Sequence, residues 1–469
     1  MAKTKRNFTE GPIFFRILLF ALPIMLTGIL QVMYNMADNI IVGRFSGDTG
    51  AVAAVGSTGS LYNLVMNLIL GTSGGTGVIV AQHYGAKRHR ELSEVVHTAI
   101  SFSMILGVAL SAIGLVISEP ALTLMKTRPE VMDRAVLYFR IICLGIPATA
   151  VYNFGAATLR SIGDSKLPLT VLSITGLVNV GLNVVFVKYC HMTVEGVALA
   201  TIISQYLSAL TVVFVLIKRK SEPYSLSLKK LRINMGFLKR ILRLGLPAGL
   251  QGMLFSISNI FILSGMNTFP PTTVAAYTIA NNIDAITYTT MNSFQHASMT
   301  FVGQNYGAKK YDRIKKSAVF CLLLVSVVGI LVGQVELLFG EQLSSLYIAD
   351  DDPTRDTVIK TAMEIMAVLL STYFMCGIME VLTGSLRGLG YSIAPMIMCL
   401  TGACGLRILW VTLIFPLERF NTHKGLVLSY PITWIITIIA LLITLIVAMA
   451  KIKKSINQSS GTENNANEN

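Results

Sequence analysis

Apolar runs of about twenty residues recur along this chain, broken by short polar segments rich in lysine and arginine. An α-helix rises about 1.5 Å per residue, so about 20 helical residues cross a hydrocarbon core of about 30 Å. Runs read between polar breaks place twelve candidate spans at about 15–43, 52–80, 95–117, 134–157, 167–188, 195–217, 239–266, 274–302, 317–339, 358–384, 393–415 and 426–449. Mean hydropathy is +0.65 and only 13% of residues are charged. A soluble chain carries nearly twice that charge. The expected fold is an all-α membrane protein. The second span is the weakest, because Gly71–Gly77 reads GTSGGTG. No GK[ST] follows it and no strand precedes it, so close helix packing is expected there rather than a phosphate loop.

The chain repeats itself. ILLFALP at Ile17–Pro23 pairs with ILRLGLP at Ile241–Pro247, QHYGAKR at Gln82–Arg88 with QNYGAKK at Gln304–Lys310, and LRSIGDSKLP at Leu159–Pro168 with LRGLGYSIAP at Leu386–Pro395. The offsets are 224, 222 and 227 residues, in order along the chain. This is a duplicated six-span unit. An even span number gives both copies the same orientation, related by a pseudo-two-fold axis along the membrane normal. The expected division is 1–217 for one lobe, 218–238 for a linker, 239–450 for the second lobe and 451–469 for a disordered polar tail. The linker region carries an amphipathic stretch (Leu228, Leu231, Ile233, Phe237, Leu238), expected to lie on the membrane surface. In the QxYGAK and LRxxG loops glycine is expected to make the turn.

Charge sets the orientation. With both termini in the cytoplasm, 27 of the 38 basic residues fall in cytoplasmic segments, among them Lys3, Lys5, Arg6, Lys87, Lys218–Lys220 and Lys309. The net charge of +14 therefore reads as topology and not as nucleic-acid binding, which wants aromatic interleaving or a recognition fold. The apolar run after Arg16 shows no small-residue cleavage site, so no cleavable signal is expected. Six scattered cysteines have no metal-ligand spacing and are expected to be reduced packing residues.

Asp38 is the only carboxylate between Glu10 and Asp48. A charge at a helix centre in lipid costs roughly 2.5–3.5 kcal/mol on insertion scales. Asn35, Tyr34 and Gln31 lie three, four and seven positions before it, on one helix face. Asn179 and Asn183 share a face of the fifth span, Asn153 lies on the fourth, and Thr201 and Gln205 on the sixth. Together these could form an oxygen-rich chamber suited to a hard cation or an exchangeable proton; interhelical hydrogen bonding alone is the plainer reading of the Asn pair. The repeat puts Ile262 opposite Asp38 and Asn259 opposite Asn35. The second half instead carries Asp284, Glu380 and Arg407. Glu380 and Arg407 either neutralise each other, or Glu380 or Asp284 faces a cleft and meets cationic substrate. Tyr62 and Met66 are further candidates for an adaptable lining. Glu119, Glu336 and Glu341 fall near span ends, where solvation is expected, and His97 and His296 read as packing or interfacial residues.

These motifs resemble the multidrug and toxic compound extrusion (MATE) family over roughly residues 12–450, with Tyr34, Asn35 and Asp38 similar to its DinF-like and related bacterial branch. The resemblance implies an antiporter in the bacterial plasma membrane, exporting organic, often cationic, amphiphiles in exchange for H⁺ or Na⁺. It implies cation coupling at Asp38, Tyr34, Asn35, Asn179, Asn183 and Thr201, with Asp38, Asn179 and Asn183 as the Na⁺ ligands if Na⁺ is the ion. Gln31, Asn153, Tyr62, Met66, Asp284 and Glu380 are the candidates for the substrate cleft, and Pro23 for a hinge in the first helix. Two departures matter: some members have Asp where this chain has Asn183, and a branch with a coupling Glu in the seventh span has Phe255 at that place here. No cofactor, no nucleic acid and a monomer are expected, with small amphiphiles and membrane lipid as partners. The alternative in the same architecture is a lipid or lipid-linked oligosaccharide flippase, which would want a larger, more basic cleft and often two more spans. The spans show no HExxH or GxSxG, against an intramembrane enzyme.

Overall fold

The computed structural model describes residues 7–45 and 49–467. Lys3, Lys5 and Arg6 of the orientation argument lie outside the described residues, as do the side chains of the tail beyond Lys454. Among the described residues there is no strand. Twelve long helices follow one another: α1 (Ile13–Phe45), α2 (Thr49–Gly85), α3 (His89–Leu124), α4 (Pro129–Ser161), α5 (Lys166–Val184), α6 (Val194–Lys218), α7 (Met235–Met266), α8 (Pro271–Gly307), α9 (Tyr311–Leu338), α10 (Arg355–Gly388), α11 (Ile393–Ile414) and α12 (Ser429–Asn467). Eleven of them are long and apolar enough to cross a membrane. The exception is α8. It has 37 residues, but Asn281, Asn282, Asp284, Gln295 and several Thr and Ser dilute its hydropathy. Thr287, Thr290, Ser293, Gln295 and Ser298 are buried, so protein rather than lipid surrounds that part of α8.

Contacts divide the chain into two compact units, one of residues 26–250 and one of residues 1–25 with 251–469. The division does not fall in the 218–238 linker. It runs through α1 just after Pro23 and through α7 just after Pro247. Each unit therefore includes part of the other half's first helix. In the first unit α4 packs against α2, α3, α5 and α6; in the other, α10 packs against α8, α9 and α12. These central helices are fourth in their respective halves, as the duplication requires.

The glycines of α2 act in packing. A Cβ on Gly71 would sit 2.1 Å from the Gly249 nitrogen, and one on Gly75 would sit 2.6 Å from the Ile241 carbonyl oxygen. Small residues on both helices let α2 and α7 cross backbone to backbone.

The repeated loops do more than turn. In LRSIG and LRGLG the glycines Gly163 and Gly390 do take a left-handed conformation (φ 93° each). In QxYGAK the left-handed residues are Lys87 and Lys309 (φ 55° each), while Gly85 and Gly307 end their helices. The second of these loops grips the start of the chain. Phe8 N donates to Gln304 Oε1 (2.9 Å), Arg313 Nη2 to Phe8 O (3.0 Å) and Lys310 Nζ to Thr9 O (2.9 Å), while the Phe8 ring stacks on Phe301 at 4.0 Å.

The segment before α7 is held in a comparable way. Ser227 N donates to His97 Nε2 (3.0 Å) and Asn234 N to Thr98 Oγ1 (3.1 Å). Tyr224 and Leu226 are buried, and Leu231 and Phe237 pack on the core beneath them. The expected amphipathic surface element is thus a strap docked on α3, with only a three-residue helical turn at Leu228–Lys230. Its backbone N–H groups find acceptors on α3, which an isolated surface segment would lack.

Arg219 closes the strap's near end, its Nη2 2.9 Å from Asp164 Oδ2, with 22% and 8% of the two side chains exposed. Asp164→Ala is expected to raise the rate of tryptic cleavage at 218–232 by about tenfold in detergent, because a charged hydrogen bond contributes roughly 1.5–3 kcal/mol. An unchanged rate would show that the strap does not depend on this pair.

Glu336, expected at a solvated helix end, is 5% exposed. The short helix Gly340–Ser345 that follows α9 packs against α8, α9 and α10. All six cysteines are free and five are buried; Cys190 is exposed.

Candidate functional site

Asp38 lies about two turns from the described end of α1, in the unit of residues 26–250. Its Oδ1 accepts a hydrogen bond from Asn183 Nδ2 of α5 at 2.5 Å. The same amide nitrogen lies 3.4 Å from Asn179 Oδ1, and Asn179 Nδ2 donates to Thr201 Oγ1 of α6, also at 3.4 Å. One carboxylate, two amides and a hydroxyl from three helices thus meet as the spacing anticipated. Asn183 and Asn179 are 0% and 7% exposed. Asn183 Oδ1 is buried and accepts no hydrogen bond. A buried amide oxygen without a donor is costly. Beside a carboxylate it makes part of a fitting donor set for Na⁺, with Asp38, Asn179 and Thr201 supplying the other oxygens. The donors are carboxylate, amide and hydroxyl oxygens with no thiolate or imidazole, so the set suits a hard cation or a proton better than a transition metal.

Tyr34 is seated against α5 at Gly176. Its hydroxyl donates to Ser173 O of α5 at 3.2 Å. Its ring lies so close to α5 that a Cβ on Gly176 would fall 1.9 Å from Cε2. Gly176 stands one turn before Asn179, which is the signal the sequence offered. Gly176→Ala is expected to push the Tyr34 ring away from α5 and lower the transport rate by about tenfold. Gly181→Ala, where a Cβ meets nothing within 4 Å, should leave it unchanged. Equal rates for the two variants would remove Tyr34's seat from the site.

Other sequence candidates fare differently. Asn35 and Gln31 are exposed, and no described hydrogen bond joins either to Asp38. Asn153 is buried and donates to Thr149 O of its own helix at 2.8 Å, which satisfies it locally. The Tyr62 hydroxyl accepts from Gln205 Nε2 at 3.2 Å, and Met66 packs beside Tyr62 on a core cluster. In the unit of residues 1–25 and 251–469, Glu380 is only 5% exposed and accepts a hydrogen bond from Gln295 of α8. It lies inside the unit, and it does not pair with Arg407. Arg407 Nη1 donates to Asn259 Oδ1 at 3.3 Å. Asp284 is half-buried. Ile262 is fully buried in the core of its unit, so the position opposite Asp38 is a packing site. Phe255 also packs against that core.

The fold has close counterparts. The outward-facing conformation of a multidrug resistance MATE family transporter of the MOP superfamily superposes with a TM-score of 0.88, covering 97% of this chain and 100% of that one at 21% identity. A family model described as MatE matches twice, over residues 23–185 and 247–412. The chain belongs to the MatE family. The two matches start 224 residues apart and end 227 apart, the spacing of the internal repeat. MatE proteins are transporters, so the chain is a membrane transporter and not an enzyme. Among curated relatives, the probable multidrug resistance protein YoeA of Bacillus subtilis is 27% identical over 429 residues, covering 90% of this chain and 91% of YoeA. The probable multidrug resistance protein NorM of Thermotoga maritima is 26% identical, with 80% of each chain covered.

Proposed function

We propose that this MatE transporter exports small amphiphilic organic molecules by alternating access, in exchange for H⁺ or Na⁺ entering at Asp38. The observation that carries the reading is the Asp38–Asn183 contact, with an unpartnered amide oxygen beside a carboxylate between apolar helices. The names of the relatives, both called probable multidrug resistance proteins, support organic substrates.

In the proposed cycle a cation from outside neutralises Asp38, the Asp38–Asn183 contact rearranges, and α1 bends. Pro23 removes a backbone N–H from α1 and supplies the hinge. It stands three residues before the point where α1 passes from one unit to the other, which suits a bend there. Substrate leaves outward; the cation then leaves inward and substrate is loaded again. Placement in the plasma membrane with both termini cytoplasmic, and action as a monomer, belong to the same reading and rest on the basic loops and the duplication.

The test is dye efflux from proteoliposomes with pH and Na⁺ gradients imposed separately. One gradient should drive efflux well above the ungradiented rate. Efflux indifferent to both would overturn the coupling.

A further inference from the structure

We propose that Arg407 anchors an anion-binding site in the unit of residues 1–25 and 251–469, taking a carboxylate or phosphate group. The inference adds a chemical class to what this transporter binds, and it stands apart from cation coupling at Asp38. Arg407 is 2% exposed and is among the largest fully buried side chains. Its guanidinium carbon lies 4.1 Å from the centroid of the Tyr430 ring, and Nη1 is taken by Asn259. Nε and Nη2 are buried and donate to nothing. Among the described ion pairs none includes Arg407. Asp284 of α8 lies in the same unit, yet it forms no described ion pair with the guanidinium.

The two free nitrogens are informative. Nε and Nη2 form the side-on edge of the guanidinium, the fork that matches two oxygens of a carboxylate or phosphate. A buried cation with that edge unfilled lacks a counter-ion. The backbone is also unusual here. Arg407 sits in a four-residue α-helical turn, Leu406–Leu409, between π-helical turns at Leu400–Gly405 and Trp410–Ile414. Such turns occur often at functional sites.

The repeat strengthens the assignment. Asn259 on α7 matches Asn35 on α1, and Arg407 on α11 falls within a turn of the place matching Asn179–Asn183 on α5. In one unit the first and fifth helices are joined by Asp38 and Asn183. In the other, the corresponding helices are joined by Asn259 and Arg407. The first–fifth helix contact of one unit thus holds a carboxylate and that of the other a guanidinium, at different positions of the repeat.

The test is equilibrium binding to the full-length protein in phosphatidylcholine nanodiscs, with no gradient. Carboxyfluorescein is the anionic probe and ethidium the cationic one, both followed by anisotropy. Arg407→Gln should weaken carboxyfluorescein at least tenfold and leave ethidium within twofold. Arg407→Lys, which keeps the charge and loses the fork, should weaken it several-fold. Phosphatidylglycerol nanodiscs separate the two sources of the anion. If a lipid phosphate fills the site, carboxyfluorescein binds the wild type more weakly there and Arg407→Gln erases the difference; equal affinity assigns the site to a solute. The proposal falls if wild type does not bind carboxyfluorescein, or if Arg407→Gln binds both probes as wild type does or weakens both equally. If Arg407→Gln does not fold, Arg407→Lys decides: unchanged carboxyfluorescein affinity overturns the site.

Discussion

Asp38→Asn is expected to abolish the response of dye efflux to an imposed cation gradient while leaving the protein folded. The amide has the volume of the carboxylate and can still accept from Asn183, so the α1–α5 contact survives. What disappears is the charge. An Asn cannot bind and release a proton at this place, and it attracts Na⁺ far less than a carboxylate. Coupling free energies between sites are typically 1–3 kcal/mol, or roughly 5–150-fold. With the one carboxylate of the chamber gone, gradient-driven efflux should fall by about 100-fold, close to the rate without a gradient. Asn183→Ala is the informative companion. It keeps Asp38 and removes its partner, so gradient dependence should persist at a lower rate. Normal gradient-driven efflux in Asp38→Asn would mean that the coupling cation enters elsewhere.

The second large effect is on stability. Gly71→Ala places a methyl group 2.1 Å from the Gly249 nitrogen and 2.8 Å from the Gly245 carbonyl oxygen. Neither neighbour can rotate away, since both belong to the α7 backbone. Overpacking in cores typically costs about 1–3 kcal/mol, and more where nothing yields. Gly71→Ala should therefore sit at or above about 3 kcal/mol and show a clearly lower apparent Tm by size-exclusion or scanning fluorimetry in detergent. Gly71→Leu should not yield folded protein. Gly74→Ala, three residues along the same helix with nothing within 4 Å of its added Cβ, is the control and should melt with wild type. Coincident melting of Gly71→Ala and Gly74→Ala would mean that α2 and α7 do not meet in solution as described.

Much of this was legible in the residues. Twelve helices and the duplication followed from apolar run length and three pairs of motifs, because both are properties of the chain read linearly. The Asp38, Asn179, Asn183 and Thr201 cluster was legible because a charged or amide side chain inside an apolar helix needs a partner. Features that depend on two distant stretches meeting were not. Gly176 looks like any helix glycine until the Tyr34 ring lies on it. Glu380 was read against Arg407 because opposite charges invite pairing, yet Gln295 reaches it first. Asn35 falls at the right spacing from Asp38, but spacing does not say which way the helix is rotated against its neighbours. Tyr224 and Leu226 were hidden inside a basic linker whose overall composition reads as solvated, and Glu336 was placed in solvent because its nearness to the end of its own helix does not say what packs against that end.

The grip of Gln304 and Arg313 on Phe8 has a consequence for biosynthesis. Phe8 and Gln304 are 296 residues apart. At about 5–20 residues per second of translation, the first residues wait on the order of 15–60 s before their partners are made. During that interval Phe8 and the apolar start of α1 have no native neighbours from their own unit, and the ribosome has already delivered most of the other one. A truncated chain ending before α8 would leave this segment permanently without its partner.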